Sequence, residues 1–211
     1  MKFSLRALQR SIPLFLTSLI ILEAAAYVAT TPPPRDRFFQ LYALGANGLA
    51  TDYYPNNSPF IQPGQPVTWY IGISNQMGSI QYVDIRVKLG NQTIDPPNDT
   101  SASPSPAPLV VEFKHFISDN AAWKIPFVWR ILNFSAKGNY SRLLQLQIDN
   151  VTYFIQNTPT CPFQGSCRLR FIFELWTWNV SVGDFQVGWW NGNQQRIAWL
   201  QIWFNPTIGA P

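Results

Sequence analysis

The run Ile12–Thr31, IPLFLTSLIILEAAAYVATT, constrains the chain more than any other stretch. It carries one charge, Glu23, and comes after a short basic lead over residues 1–11 that holds Lys2, Arg6 and Arg10. Positive charge ahead of an apolar run keeps the N-terminus in the cytoplasm and sends the downstream chain across the membrane. Residues 32–211 are therefore expected outside the cell, as one extracytoplasmic domain. Two readings of residues 12–31 stand side by side. A cleaved signal peptide would use Ile12–Leu22 as its apolar core and Ala24, Ala25 and Ala26 as the small residues at the cut. A retained transmembrane anchor needs about 20 mostly apolar residues. It must then accept Glu23, at roughly 3 kcal/mol if charged at mid-membrane. Tyr27 near the outer end and Pro32, Pro33 and Pro34 beyond it suit a helix that stops there. The retained single-pass anchor is carried forward, with Glu23 as a candidate intramembrane polar contact to a partner helix.

The domain beyond the anchor, about 180 residues, is long enough to bury a proper core. Aromatic residues make up 15% and include nine Trp, while charged residues are only 12% against about 25% in an ordinary domain. Removing Lys2, Arg6, Arg10 and Glu23 leaves 12 basic and 10 acidic residues, with no basic cluster. Nucleic-acid binding is not expected of such a surface. Seven Asn-X-Ser/Thr sequons, at Asn56, Asn91, Asn98, Asn133, Asn139, Asn150 and Asn179, exceed the about two that composition alone would give and predict an N-glycosylated surface. Cys161 and Cys167 enclose PFQGS; outside the membrane such a pair reads as a disulfide closing a tight loop.

Period-two alternation dominates the domain. In Val67–Ser74 the residues Val67, Trp69, Ile71 and Ile73 share one face; Val83, Ile85, Val87 and Leu89 then oppose Asp84, Arg86 and Lys88. Such patterning predicts antiparallel strands with one face toward water. Further strands are expected over residues 37–44, 109–117, 123–134, 141–148, with Leu144, Leu146 and Ile148 inward, 151–156 and 168–181. A last hairpin is expected to join residues 185–190 to 197–205 through Asn191-Gly192. Ile94–Pro108, rich in proline and without aromatics, is expected as an exposed, mostly extended loop. About ten strands and no soluble helix predict an all-β antiparallel sandwich, immunoglobulin-like or jelly-roll-like, behind one N-terminal transmembrane helix.

The blocks RFFQLYALGANGLATDYYP, PGQPVTWYIGISNQMGSIQYVDIRVKL, FIFELWTWN and RIAWLQIWFN resemble an archaeal family of membrane-anchored envelope proteins, the domain of unknown function numbered sixteen-sixteen. The similarity runs through most of residues 32–205. It implies an archaeal envelope location, a retained anchor and a β-rich ectodomain, and it brings no catalytic or binding residues with it.

No nucleophile elbow, phosphate loop or metal cluster stands in the sequence. Two Cys and one His, His115, cannot complete a zinc site. Glu112, Glu174 and Asp184 would have to meet in space to act as a glycosidase pair, and ordinary surface acids are the simpler reading. No catalytic residue, metal or cofactor is expected. Tryptophans carry more information. Trp176 and Trp178 share a strand face, and adjacent Trp189 and Trp190 cannot both face the core, because successive side chains alternate. One of that pair is expected outside, in a protein interface or a sugar-stacking platform. The function expected is therefore non-enzymatic assembly with protein partners of the envelope or of a membrane complex. The alternatives are a carbohydrate-binding module built on a Trp platform, and a filament subunit in which residues 37–44 insert into a neighbour after signal cleavage.

Overall fold

The computed structural model describes residues 5–30, 36–137, 140–156, 160–162 and 168–207. The chain divides into two units, Met1–Asp36 and Arg37–Pro211. The first is a single helix, α1 (Leu5–Thr30), with Pro13 inside it. Its hydroxyls turn back on the helix, with Thr17 Oγ1 donating to the Pro13 carbonyl at 2.6 Å and Thr30 Oγ1 to that of Ala26 at 2.7 Å. Phe15, Leu16, Ile20, Ile21, Leu22 and Val28 are all exposed, as are Glu23 and Tyr27. Among the described residues, no helix is long and apolar enough to cross a membrane.

The second unit is built of strands: β1 (Phe38–Leu44), β2 (Phe60–Ile61), β3 (Val67–Gln76), β4 (Gln81–Asn91), β5 (Leu109–Ile117), β6 (Ala122–Lys137), β7 (Tyr140–Ile148), β8 (Val151–Phe154), β9 (Cys161–Pro162), β10 (Leu169–Asn179), β11 (Asp184–Val187), β12 (Trp189–Asn191), β13 (Gln194–Arg196) and β14 (Trp199–Pro206). One sheet runs β1-β3-β6-β7-β8 with β9 on β7; the other runs β2-β14-β10-β4-β5 with β11 on β10. Among the described residues, the strand pairings are antiparallel except the short β2–β14 contact, and an isolated parallel bridge joins Trp176 to Gly188. The sheets pack face to face through the alternating residues that the sequence picks out. Trp69, Phe127 and Trp129 from the first sheet meet Phe171, Phe173 and Phe204 from the second, with ring centroids 4.7–6.4 Å apart across the interface. Each such pair adds about 0.5–1.5 kcal/mol beyond its area burial. The all-β antiparallel sandwich is thus the fold.

The neighbourhood β14-β10-β4-β5 follows the G-F-C-C′ order of immunoglobulin sheets, but the other sheet does not follow theirs. There the outer strand precedes the inner one in sequence; here the inner β6 precedes the outer β7.

Four local expectations are corrected. Asn191-Gly192 closes only the two-stranded hairpin β12–β13, while β14 pairs with β10. The reason is Gly188, at φ 68°, where a Cβ would stand 1.9 Å from the Arg196 carbonyl oxygen; the chain turns there and ends β11. In β7 the inward residues are Leu143, Leu146 and Ile148, and Leu144 is exposed. The pairing with β6 shifts on either side of Asn133, leaving Leu132 and Leu144 outside the ladder and both exposed. For the same reason Asn133, expected at a strand end, lies within β6. Finally, residues 94–108 are not a free loop: Pro97, Ser105 and Ala107 are buried and tie the segment to the second sheet. The strand expected to serve a neighbouring subunit, β1, closes its own sheet on β3 over its whole length.

Candidate interaction surface

The outward face of β5, β4 and β10 carries the side chains that do not enter the core, arranged in cross-strand rows. At one end of the sheet, Phe116 pairs with Tyr82 and Trp178 with Phe185. The rings touch in sequence, Tyr82–Phe116 stacked at 4.2 Å, Tyr82–Phe185 at 5.0 Å and Trp178–Phe185 edge-on at 5.2 Å. Phe116 and Trp178 remain exposed. Of the adjacent tryptophans, Trp189 is 7% exposed and packs edge-on against Phe39 at 5.4 Å, its Nε1–H donating to the Arg37 carbonyl. Trp190, on the opposite side of the strand, is 54% exposed. Trp178, Trp190, Met77, Gln81, Asn179 and Gln186 border a cleft of about 220 Å³.

The next rows are charged. Lys114, Asp84 and Trp176 lie opposite one another, then Glu112, Arg86 and Glu174. Arg86 Nε lies 3.0 Å from Asp84 Oδ2 and 2.9 Å from Glu112 Oε1, and its guanidinium sits 3.8 Å over the Trp176 ring, a cation–π contact. Asp84 is fully buried and its Oδ1 has no partner. Burial pushes the Asp84 carboxyl up to about 6 against the pull of Arg86. In Glu112 partial burial pushes the carboxyl up, but hydrogen bonding from Lys114 and the charge of Arg86 outweigh it and hold the group below its ordinary range.

Beneath residues 94–108 lies a second ion pair. Lys88 Nζ stands 3.0 Å from Glu174 Oε2 and donates to the Ser105 carbonyl at 2.6 Å. Ser105 N–H donates to Glu174 Oε1 at 2.7 Å, and Trp176 Nε1–H to Oε2 at 3.0 Å. Both carboxylate oxygens that burial would otherwise strand have a donor, which is the condition for keeping a carboxylate inside. Arg170, also buried, donates to Gln201 and to the Ile94 carbonyl and lies over Trp203; burial lowers its pKa, against Asp95.

Glu112 and Glu174 do share a row, but Arg86 stands between them and Glu174 is sealed from water. Asp184 lies opposite Asn179 on β11, exposed. His115 stacks on Trp123 at 4.4 Å. Among the described residues, no group of His, Cys, Asp and Glu could hold a metal ion. Asp84, Arg86 and Lys88 were visible in the sequence as one polar face; that residues 94–108 would cover half of it was not, because nothing in their composition names a docking partner.

Asn56, Asn98, Asn133 and Asn150 are exposed. Asn91 is 5% exposed, its Nδ2 donating to the Thr160 carbonyl and its Oδ1 accepting from Thr93 and Ile94. The Asn179 amide, half-buried, donates to Gln186 at 2.8 Å. Asn139 and Cys167, and with Cys167 the expected Cys161–Cys167 bridge, fall outside the described residues.

No protein-family model matches the chain, and no curated protein matches it.

Proposed function

We propose that this chain is a non-enzymatic, membrane-anchored, N-glycosylated archaeal cell-envelope protein that assembles with protein partners through the aromatic face of its sandwich. The observation that carries the reading is the aromatic row of exposed Phe116 and Trp178 about half-buried Tyr82, on a sheet whose neighbouring charges already neutralise one another. Three acids, Asp84, Glu112 and Glu174, are matched by Arg86, Lys88 and Lys114. A stiff, nearly neutral wall with aromatic anchors suits protein contact, where buried aromatic side chains supply most of the binding energy. The anchor rests on the basic lead, the single charge in residues 12–31 and the exposed apolar side chains Phe15, Leu16, Leu19, Ile20, Ile21, Leu22 and Val28. Apolar side chains exposed over residues 15–28 have to be covered by lipid or by other helices, and Glu23 is the residue through which a partner helix would be recognised. The family resemblance supports the archaeal envelope location.

The test is mild detergent extraction from native membranes, with the wild-type chain and a Phe116→Ser/Trp178→Ser variant compared. A stoichiometric partner held by the wild type and lost from the variant is expected. A wild-type protein that leaves the membrane alone and monomeric overturns the reading.

A carbohydrate platform is the second reading, favoured by the cleft in which Trp178 and Trp190 flank the amides of Gln81, Asn179 and Gln186. Stacking on a Trp face with amide hydrogen bonds is how such a site would hold a sugar ring. Glycan-array binding that disappears in Trp190→Ala supports it, and an array with no binding removes it.

A further inference from the structure

The first sheet ends on β1, whose outer side is open. Backbone hydrogen bonding alternates along an antiparallel strand, successive residues turning to opposite neighbours. In β3, Asn75 bonds to Asn120 and Ala121 on the β6 side, so Gly72, Ser74 and Gln76 serve β1. Their partners Tyr42, Gln40 and Phe38 answer them, which turns the N–H and C=O groups of Arg37, Phe39, Leu41 and Ala43 outward. Two contacts agree with this: the Arg37 carbonyl accepts from Trp189 Nε1 at 3.3 Å, and the Ala43 carbonyl from the Tyr53 hydroxyl at 2.9 Å. Between them, the main-chain groups of Phe39 and Leu41 have no partner among the described residues. A slot of about 490 Å³ runs along this stretch, with Ile197, Ala198 and Trp199 on its other side.

Sheet edges are ordinarily guarded by charge, proline, a bulge or brevity. β5 carries Glu112, Lys114 and His115, β8 has only 4 residues, and β14 has β2 and Tyr54 along its outer side. β1, FFQLYAL, has 7 residues and no charge, proline or bulge. Phe39 is 5% exposed, and main-chain groups with so little water about them are nearly always paired. What such an edge accepts is another strand, and the open stretch itself specifies which. It is centred on Gln40, with one outward-bonding residue on either side. A copy of β1 turned by 180° sets its Leu41 against Phe39 and its Phe39 against Leu41, each pair exchanging both bonds. Every unpaired group of both copies is then met in a single register. The side chains match in that register as well. Gln40 meets Gln40 of the copy, and Phe38, which is 40% exposed, meets Tyr42 of the copy, an aromatic pair of the kind that stabilises adjacent strands.

We propose that two copies of this chain associate by pairing their β1 strands antiparallel about Gln40, joining their first sheets into one continuous sheet. Each β1 keeps its place beside its own β3 and is lent to no neighbour. The contact lies on the edge of the first sheet, whereas the aromatic row lies on the outward face of the second. This self-association and partner binding at the aromatic row therefore stand or fall separately.

The test uses the full-length protein in detergent, with single cysteines introduced by substitution and disulfides mapped by mass spectrometry. Directly opposed residues of an antiparallel pair hold their Cβ atoms about 4.5–5.5 Å apart, within small adjustments of a disulfide. Gln40→Cys is expected to give a covalent dimer joined at position 40. Ser74→Cys, in the same row but one strand inward, is expected to give none. Phe38→Cys and Tyr42→Cys chains are expected to crosslink with each other when mixed, and neither with itself. Leu41→Pro and Leu41→Ala both remove the leucine side chain, but only proline removes the outward N–H, which the β1–β3 ladder does not use. Added to Gln40→Cys, Leu41→Pro is expected to abolish the crosslink and Leu41→Ala to keep it, with near-ultraviolet circular dichroism checking the fold. If the proline variant does not fold, the mixed Phe38→Cys and Tyr42→Cys chains decide. A Gln40→Cys chain that crosslinks no better than Ser74→Cys overturns the pairing, and so do Phe38→Cys chains that crosslink with themselves. A crosslink that survives Leu41→Pro in a folded chain, or one lost equally in Leu41→Ala, overturns the role of the main-chain groups.

Discussion

Asp84 shows what a single residue contributes when its surroundings disagree with its charge. Its carboxyl is fully buried, one oxygen lacks a partner, and burial raises it to about 6 despite Arg86. A raised acid binds its proton more tightly folded than unfolded, so its contribution to stability is complete below the ordinary carboxylate range and is lost as pH rises through about 6. Glu112 has the opposite sign: held below its ordinary value, it contributes above the usual glutamate range and loses that contribution only at more acid pH. Between about pH 7 and pH 5, Asp84 is thus the group of the two that moves the curve. Asp84→Asn is expected to melt above wild type at about pH 7, and the gap is expected to shrink to roughly half by about pH 5 and to close only towards about pH 4, measured by near-ultraviolet circular dichroism. A gap that widens on acidification would mean that the Arg86 contact outweighs desolvation. The alternation of Asp84, Arg86 and Lys88 with Val83, Ile85, Val87 and Leu89 was plain in the sequence. So was the need for Trp189 and Trp190 to part company. Which of that pair turns inward was not, because the choice is made by Phe39 and the Arg37 carbonyl, about 150 residues earlier.

At the scale of elements, residues 94–108 and the turn at Gly188 carry the two features that local pattern could not supply. Residues 94–108 hold down Lys88 and Glu174, both nearly sealed from water. Removing one partner of such a pair leaves a buried charge, at about 3–5 kcal/mol. Lys88→Met is expected to destabilise the sandwich by about that much and to speed amide exchange across residues 94–108. Adding Glu174→Met should recover most of the loss; a double variant as unstable as the single one would show that the lysine acts by packing rather than by charge. Gly188→Ala meets the Arg196 carbonyl and a left-handed backbone together and should cost on the order of 3 kcal/mol, read by chemical denaturation. Strand positions were legible because one face of each strand is apolar and period two survives almost everywhere. The misjudged inward face of β7 comes from the irregular pairing about Asn133, where the ladder skips Leu132 and Leu144. The misjudged last hairpin comes from a strong local turn, Asn191-Gly192, that folds as expected but joins shorter strands than its flanks suggest.

Across the whole sandwich, the sequons differ in how far their amides reach solvent, and that difference is measurable. A glycan needs the asparagine amide in solvent, a condition that Asn56, Asn98, Asn133 and Asn150 meet. Asn91 does not. Its side chain closes the turn after β4, accepting from Thr93 and Ile94 and donating to Thr160, and so holds the start of the segment that covers Glu174. Its sequon is therefore read as structural, although sequence alone gives it the same standing as the others. Glycopeptide mapping of native protein is expected to find sugar at the exposed sites and none at Asn91. Asn91→Gln is expected to leave the intact mass unchanged apart from the substitution, yet to lower stability by about 1–3 kcal/mol, the cost of leaving buried groups unpaired. A sugar at Asn91 would require residues 92–108 to be unseated in the mature protein, and the ion pair beneath them would then face water.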